Sequence, residues 1–278
     1  MREILNVCAL LLIGLLQAES ARAATDFITL ASTTSTQASG FFDYFLPLVK
    51  AWLGVEVRVV AVGTGQALKL GERGDADVLL VHDRIGELAF MQAGFGVDRR
   101  EVMYNDFVLV GPRTDPAGVR GGRDAAVAFS AIGAHKTCFA SRADDSGTHR
   151  AELRLWHDAG VDVHAASGTW YRETGAGMGA TLNVAAGLDC YLLADRATWL
   201  SFHNRQHLIL LVEGDSRLFN QYSLIRVNPA RHPYVKQALV LKFVDFMTSP
   251  IGQRLIGDFR ITEVRVFVPN YVRGGPST

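Results

Sequence analysis

Short apolar runs alternate with amphipathic segments along the first part of the chain, between residues 26 and 112. The apolar runs are rich in β-branched and aromatic side chains, which predicts strands at 26–33, 55–62, 76–82 and 106–112. The segments between them repeat apolar positions at helical spacing, which predicts helices at 41–52, 65–74 and 85–94. This order of strands and helices is typical of a parallel sheet with helices on both faces.

A second α/β set follows a segment rich in proline, glycine and charge, residues 113–124, which we take as the first crossing between two lobes. The pattern beyond it predicts strands at 137–140, 190–194 and 208–213, and helices near 124–134, 148–159 and 178–187. A long strand at 220–229 is expected to cross back. Helices at 234–249 and 250–259 then complete the chain.

The chain is therefore predicted to be an α/β protein of two lobes, with a ligand cleft between lobes that are joined by crossing strands. We assign residues 24–112 and 218–278 to lobe I, residues 113–217 to lobe II, and residues 1–23 to a signal peptide. Proteins built in this way close over a ligand by a hinge motion.

The N-terminus carries the features of an export signal. An apolar run extends from Ile4 to Leu16, and Ala21-Arg22-Ala23 forms an A-x-A cleavage site. The run is short for a membrane span, so we expect cleavage and export. Of the remaining cysteines, Cys138 and Cys190, the sequence leaves open whether they form a disulfide or are small buried apolar residues.

Composition narrows the classes of function. Hydrophobic residues make up 49% of the 278 positions, as in a folded globular protein. The 28 Lys and Arg residues balance 28 Asp and Glu residues. This balance argues against a nucleic-acid partner or a membrane surface bound through bulk charge. Recognition of an anion would therefore have to be local.

Two polar loops of lobe I stand where a predicted strand ends and a helix begins. They read "STTST" at 32–36 and "GTGQA" at 63–67. Ligands of open α/β sheets bind beyond the carboxyl ends of the strands, and N–H groups at helix starts favour anions. The alternative is ordinary capping of each helix. More hydroxyls stand in 32–36 than one cap needs, so the candidate ligands are Thr33, Thr34, Ser35 and Thr64.

Lobe II contains a third loop of this kind, "SRADDSG" at 141–147, between a predicted strand and a helix. Its arginine offers a planar fork of donors suited to an oxyanion, and the candidate ligands are Arg142, Ser146 and Thr148. Asp144 or Asp145 is expected to cap the helix or to hold the arginine. Which of them faces the cleft is left open.

Other chemistries fit the sequence less well. Asp145, Ser146 and His149 resemble a compressed hydrolase triad, but triad members usually come from distant segments and no G-x-S-x-G elbow is present. We therefore predict no catalytic residues. His203 and His207, like the isolated His82-Asp83 pair, lack the partners of a zinc site, so we expect solvent-facing histidines, no metal and no cofactor.

A glycine-rich stretch, "GTWYRETGAGMGATLNVA" at 168–185, invites comparison with a dinucleotide fingerprint. Neither a parallel strand leading into it nor a suitable acidic residue beyond it is recognised in the sequence. We expect a tight helix start at Gly175, Gly177 and Gly179 that lines the cleft.

Several of these motifs occur together, in order, in one known family. "LASTTSTQASG", "VVAVGTGQALKLGERGDADVLLVHD", "VMYNDFVLVGP", "SRADDSGTHRAELRLW", "GMGATL" and "LLADRATWL" resemble the tungstate-binding periplasmic proteins of ABC importers. The resemblance covers most of the mature chain. It implies a type II periplasmic binding protein fold, a tungstate or molybdate ligand, an inner-membrane ABC permease as partner, a periplasmic monomer and an anion-binding role for Arg142.

The chemistry of the anion provides a further criterion. Tungstate and molybdate are fully deprotonated at neutral pH and only accept hydrogen bonds, so their site should offer donors only. Hydrogen phosphate keeps a proton, and a site for it gains from a carboxylate acceptor. A phosphate receptor of the same fold therefore remains an alternative, with an exported hydrolase as the less favoured one.

Overall fold

The computed structural model describes residues 26–273. The predicted signal peptide, residues 1–23, lies outside the described residues. Between residues 26 and 273, no helix has both the length and the apolar character needed to cross a bilayer.

Strands form close to the positions that the apolar runs predict, with one large extension and several short additions. The strands are β1 (Phe27–Thr33), β2 (Glu56–Val62), β3 (Val78–Val81), β4 (Gly96–Pro112), β5 (Phe139–Ser141), β6 (Tyr171–Glu173), β7 (Leu192–Asp195), β8 (Leu208–Val212), β9 (Phe219–Val227), β10 (Arg260–Ile261), β11 (Val264–Arg265) and β12 (Val268–Pro269).

The predicted helices are confirmed within a few residues, and two short helices that the sequence did not indicate, α1 and α8, are added. The helices are α1 (Thr34–Ala38), α2 (Phe41–Leu53), α3 (Thr64–Arg73), α4 (Arg84–Gln92), α5 (Ala125–His135), α6 (Gly147–Asp158), α7 (Met178–Leu188), α8 (Arg196–Ser201), α9 (Gln237–Met247) and α10 (Pro250–Asp258).

The main sheet is mixed, because the four strands predicted to be parallel run in one direction and the returning strand β9 runs antiparallel to them. β1 pairs in parallel with β2 and β3, as expected. The returning strand β9 then lies antiparallel between β3 and β4, in the order β12-β4-β9-β3-β1-β2. The chain therefore places its late strand in the middle of the first lobe's sheet, where it pairs over nearly its whole length with β4.

The long strand β4 connects the lobes. Its first part pairs with β9 as far as Asp106, and its second part pairs with β7 and β8 from Phe107 onward. The change of partners precedes the segment 113–124 that we took as the first crossing. The division of the chain into lobes stays a prediction, and this pairing favours a boundary within β4.

Separate hydrophobic clusters support the lobes. In lobe I, Phe41 stacks on Phe45 and meets Phe267 edge-on beneath the sheet. In lobe II, Trp156 packs edge-on against Phe129 with ring centroids 4.5 Å apart. Buried aromatic contacts of this kind stabilise a core beyond the area they bury. Each wall of the cleft therefore rests on a core of its own.

The two cysteines whose state the sequence left open are joined. Cys138 and Cys190 form a disulfide that links the residue before β5 to a residue just before β7. The Cys138 carbonyl also accepts a hydrogen bond from the Tyr191 N–H. The bridge therefore reinforces the sheet edge from which the Arg142 loop emerges.

Candidate functional site

The three polar loops predicted from the sequence converge in the structure. Thr34 at the start of α1 and Arg142 after β5 are 108 positions apart in sequence, yet the Arg142 Nη2 donates to the Thr34 Oγ1 at 3.2 Å. The second loop of lobe I reaches the same place, since the Gly65 N–H donates to the Asp145 carbonyl at 3.4 Å. The contact between Thr34 and Arg142 brings the two sides of the predicted site together.

Arg142 is held rigidly and is almost fully buried, with 2% of its surface exposed. Its Nη2 also donates to the Asp144 Oδ2 at 2.5 Å, and its Nη1 donates to the Thr148 Oγ1 at 3.3 Å. Its Nε is buried and has no hydrogen-bond partner among residues 26–273. Buried polar groups are nearly always paired, so a charged donor without a partner is typical of a ligand site.

Asp144 is the carboxylate that faces the arginine, which resolves the alternative left by the sequence. Its Oδ2 accepts from Arg142, and its Oδ1 accepts from the Ser146 N–H at 3.2 Å. Asp145 instead pairs with Arg150 at 2.8 Å. Both oxygens of Asp144 thus receive donors from their own loop, so this carboxylate orients Arg142.

Thr64 opens α3 and is completely buried. Its Oγ1 has no hydrogen-bond partner within the described chain. The preceding Gly63 lies so close to lobe II that a Cβ atom there would be 3.1 Å from the Asp144 carbonyl oxygen. A glycine at this position therefore allows the start of α3 to approach the Arg142 loop closely.

Thr33 and Ser35 lie in the predicted loop but are engaged locally. The Thr33 side chain caps α1 by accepting from the Thr36 N–H, and its Oγ1 lies 3.1 Å from the Ser35 Oγ and 2.8 Å from the Thr36 Oγ1. The capping interpretation therefore holds for Thr33. Of the hydroxyls in this loop, Thr34 is the one that contacts Arg142.

His82 is buried behind this loop, so the expectation that it faces solvent is wrong. Its Nε2 lies 3.4 Å from the Ser35 Oγ, its Nδ1 lies 2.9 Å from the Asn220 Oδ1, and its ring stacks on Tyr222. Burial lowers the pKa of His82 to about 4, which keeps the imidazole neutral at physiological pH. Sequence reasoning missed this residue because no local signal connects it to Asn220.

Of the histidines that the sequence analysis considered, His203 and His207 are exposed to solvent, as predicted. Within residues 26–273, no group of three or more His, Cys, Asp or Glu side chains could hold a metal ion.

Ser146 and Thr148 lie at the start of α6, where Ser146 caps the helix and Thr148 accepts a hydrogen bond from Arg142. The Ser146 Oγ caps the helix by accepting from the His149 N–H at 3.2 Å. The His149 Nδ1 accepts from the Asp145 N–H. These contacts are backbone caps, and no hydrogen bond among the described residues connects the Ser146 hydroxyl to the His149 ring. The compressed triad considered above is therefore not assembled.

The glycine-rich stretch supplies a further wall that the sequence placed correctly in the cleft. A Cβ atom at Gly177 would lie 3.6 Å from the Thr34 Oγ1, and the Ala176 N–H donates to the Arg142 carbonyl at 3.1 Å. A short parallel strand, β6, does lead into this stretch, contrary to our expectation. The start of α7 thus closes on Thr34 from lobe II.

Asp195 adds a buried carboxyl group that the sequence did not single out. It caps α8 by accepting from the Thr198 N–H at 2.9 Å, while its Oδ2 is buried with no partner in the described part of the chain. The Thr198 hydroxyl lies 3.5 Å from the Ser35 carbonyl, which places this helix start against α1. Burial raises the pKa of the Asp195 carboxyl, and the nearby charge of Arg142 opposes the rise.

The arrangement is suited to binding an acceptor-only anion. Arg142 donates to the hydroxyls of Thr34 and Thr148, and a hydroxyl that accepts in this way keeps its own hydrogen to donate. Together with the Thr64 hydroxyl and the Arg142 Nε, these groups form a set of donors from both lobes. Anions are favoured where such donors meet helix N-termini.

Comparison with known proteins agrees with this fold. The PBP superfamily domain matches residues 18–250 of the chain. The chain is a two-lobed binding protein of the PBP superfamily.

More specific relatives lie within this class. The chain is 44% identical over 234 residues to "Tungstate-binding protein TupA" of Peptoclostridium acidaminophilum. The aligned region covers 84% of this chain and 81% of that protein. The structure superposes on the tungstate-binding protein TupA of Desulfovibrio alaskensis G20 with a TM-score of 0.76 at 45% identity, over 89% of this chain and 100% of that one. The structure of the tungstate ABC transporter from Geobacter sulfurreducens matches at 46% identity with the same TM-score, over 84% and 98% of the two chains. The chain belongs to the TupA family, which confirms the resemblance found in the sequence motifs.

Proposed function

We propose that this protein is the substrate-binding protein of an ABC importer and that it captures tungstate, with molybdate as a second ligand, in the cleft between its lobes. The observation that carries the proposal is the buried Arg142, whose Nε has no hydrogen-bond partner within residues 26–273, at a place where both lobes present hydroxyl donors. The relatives, which are tungstate-binding proteins, indicate the identity of the anion. The seven predicted ligands are then Thr33, Thr34, Ser35, Thr64, Arg142, Ser146 and Thr148.

These candidates divide by the contacts they make. The strongest are Arg142, Thr34, Thr148 and Thr64, because they are directed to one another or have no other partner. Thr33, Ser35 and Ser146 already serve helix starts and the hydrogen bonds between hydroxyls. We expect these three to act mainly by presenting backbone N–H groups in the correct orientation.

The same proposal covers the partner, the location and the absence of catalysis. A receptor of this class delivers its anion to a permease in the inner membrane, so we propose a periplasmic monomer exported by a cleavable signal peptide. The relatives are binding proteins by name. The capping contacts of Ser146 and His149 give no support to covalent catalysis.

A phosphate receptor is the second candidate, and one observation favours it. The Asp195 Oδ2 is buried beside the Ser35 turn and has no hydrogen-bond partner in the part of the chain that the structure describes. A carboxylate oxygen there would accept the proton of hydrogen phosphate, whereas tungstate offers none.

Calorimetric titration of the purified protein with sodium tungstate, molybdate, sulfate and phosphate tests the proposal. We expect one anion per chain, with tungstate bound and phosphate not bound in the same concentration range. At a hundredfold excess over the dissociation constant, tungstate should stabilise the fold by about 2.7 kcal/mol and raise the melting temperature. Tighter binding of phosphate would establish the second candidate, and no binding of any of the four anions would refute both.

A further inference from the structure

We propose that Asp83 of lobe I and Arg150 of lobe II form a cross-lobe ion pair that holds the cleft closed and sets the rate at which the anion leaves. The inference rests on the proposed function, because it assigns a role to residues outside the anion site. The Arg150 Nη1 donates to the Asp83 Oδ2 at 2.7 Å across 67 sequence positions. Neither residue is among the candidate anion ligands.

Asp83 is a carboxylate that receives donors from both lobes in the closed arrangement. It precedes α4 and accepts from the Gly86 N–H, as an ordinary N-cap does. A cap of this kind needs no cation, yet two arginines of α6 converge on the group. Arg154 donates to the Oδ1 at 3.3 Å, and the Asp83 side chain is 2% exposed.

Arg150 reaches both lobes at once. Its Nε and Nη2 donate to the two oxygens of Asp145 in the loop that also carries Arg142. The same guanidinium, through its Nη1, contacts Asp83 on the opposite wall. Arg150 therefore connects the loop that supplies the positive charge of the anion site to the start of α4 in lobe I.

The surface of lobe I is shaped to receive Arg150. A Cβ atom at Gly86 would lie 2.8 Å from the Arg150 Nη1, and one at Gly65 would lie 2.9 Å from its Nη2. Both distances are too short for a real side chain, so two glycines keep the space that the guanidinium occupies. Close packing on both sides of the arginine indicates a defined contact between the lobes.

The energetic effect depends on the difference between open and closed states. When the lobes separate, Asp83 and Arg150 move apart and become hydrated, whereas closure places the carboxylate out of water beside two cations. Burying the carboxylate costs desolvation free energy, which is offset here because two arginines and the Gly86 N–H donate to its oxygens in the closed state. Contacts present only in the closed state shift the population toward it, and they slow release without touching the ligand.

The test uses Asp83→Asn, which removes the charge and keeps a side chain that caps a helix equally well. Stopped-flow measurement with sodium tungstate should give a dissociation rate about tenfold faster than that of the wild type. The association rate should change by less than about threefold, because affinity changes within one interface lie mostly in the dissociation rate. The circular dichroism of the ligand-free variant should match that of the wild type, since α4 keeps its cap.

The matched control is Asp75→Asn, the same substitution at an exposed residue of lobe I that pairs with the neighbouring Arg73. Its kinetics should equal those of the wild type. Arg150→Gln should also speed release, and the double variant Asp83→Asn/Arg150→Gln should release tungstate no faster than the faster single variant. Additive effects of the two substitutions, or an unchanged dissociation rate in Asp83→Asn, would overturn the proposed pair.

Failure of the proposed function gives a different result. If the wild-type protein binds none of the four anions, the proposed function is wrong, and the cross-lobe pair is then tested without ligand. Small-angle X-ray scattering should show a smaller radius of gyration for the ligand-free wild type than for Asp83→Asn. Equal radii would refute the pair independently of any anion.

Discussion

The two walls of the cleft contribute different chemistry to the candidate anion site. Lobe I presents hydroxyl and backbone groups at the starts of α1 and α3, and the segments Thr33–Thr36 and Gly63–Thr64 carry no formal charge. Lobe II presents Arg142, a full positive charge held in place by Asp144. Charge comes from one wall and a set of neutral donors from the other, so neither lobe alone forms the site.

The walls also differ in what holds them. The α1 turn of lobe I rests on a buried polar network through His82 and Asn220, which reaches the strands β4 and β9. The Arg142 loop of lobe II follows a short strand that the Cys138–Cys190 disulfide ties to β7. One wall is stabilised by hydrogen bonds to the central sheet, and the other by a covalent link.

The largest effect is expected from breaking the support of lobe II. The double substitution Cys138→Ala/Cys190→Ala should lower the free energy of unfolding by about 2–4 kcal/mol, because the disulfide restricts the unfolded chain. Urea unfolding of the oxidised wild type and the double variant measures the loss. A variant as stable as the wild type would show that the disulfide does not stabilise lobe II. As a control, a reducing agent should lower the free energy of unfolding of the wild type and leave that of the variant unchanged.

Removing the positive charge that Arg142 contributes to the site should weaken anion binding itself. Arg142→Ala should lower tungstate affinity by roughly tenfold to a hundredfold or more, since charged hydrogen bonds contribute about 1.5–3 kcal/mol. Arg142→Lys should recover only part, because the fork of donors is lost. Calorimetric titration of both variants beside the wild type gives the comparison. Affinity unchanged in Arg142→Ala would mean that the arginine serves only to pair with Asp144.

The free energy of unfolding should also depend on pH through a buried carboxyl group of lobe II, Glu152, whether or not an anion is bound. Burial raises the pKa of Glu152 to about 7, while its carboxyl accepts from Tyr171 and Trp156. The unfolded pKa is about 4.3, so the folded state binds the proton more tightly and this contribution to stability is lost as pH rises from about 4.3 to about 7. Glu152→Gln should remove about 1–3 kcal/mol of this pH dependence. Urea unfolding between pH 4.5 and 7.5 measures it, and parallel pH profiles would contradict the prediction.

The smallest effects should separate two threonines of lobe I. Thr64→Val removes a buried hydroxyl that has no hydrogen-bond partner among the described residues, so tungstate affinity should fall about threefold to tenfold with stability unchanged. Thr33→Ala removes a helix cap, so stability should fall by about 1 kcal/mol with a smaller change in affinity. Thermal unfolding measures the stability of both variants, and calorimetry measures their affinity for tungstate. If both variants changed in stability and affinity by the same amounts, the distinction between Thr33 as a cap and Thr64 as a ligand would be wrong.

Local pattern was sufficient for most elements and for the loops of the site. Apolar periodicity located β1, α2 and α3, and the polar residues between them marked the helix starts where Thr34 and Thr64 lie. The same reasoning located the loop of Arg142 and the glycine-rich start of α7. These features depend on residues within a few positions of one another, which is the range that periodicity and capping describe.

Pairing across long sequence distances was not accessible in this way. The antiparallel insertion of β9 and the passage of β4 from one set of partners to the other depend on which strands meet. Charged and polar residues along residues 96–105 hid the first part of β4, because it is only half-buried. The apolar pattern therefore predicted only the second part of β4, residues 106–112.

The amino-acid sequence by itself determined the α/β class, the positions of the three polar loops and, through the resemblance of its motifs, the family. Tertiary structure decided which of the loop residues meet, that Asp144 holds Arg142, that His82 lies buried behind Ser35, and that Arg150 reaches Asp83. The physical reason is that capping and periodicity are local properties of the chain. The partner of a buried charge or hydroxyl is instead chosen by packing between segments about 50 to 140 positions apart.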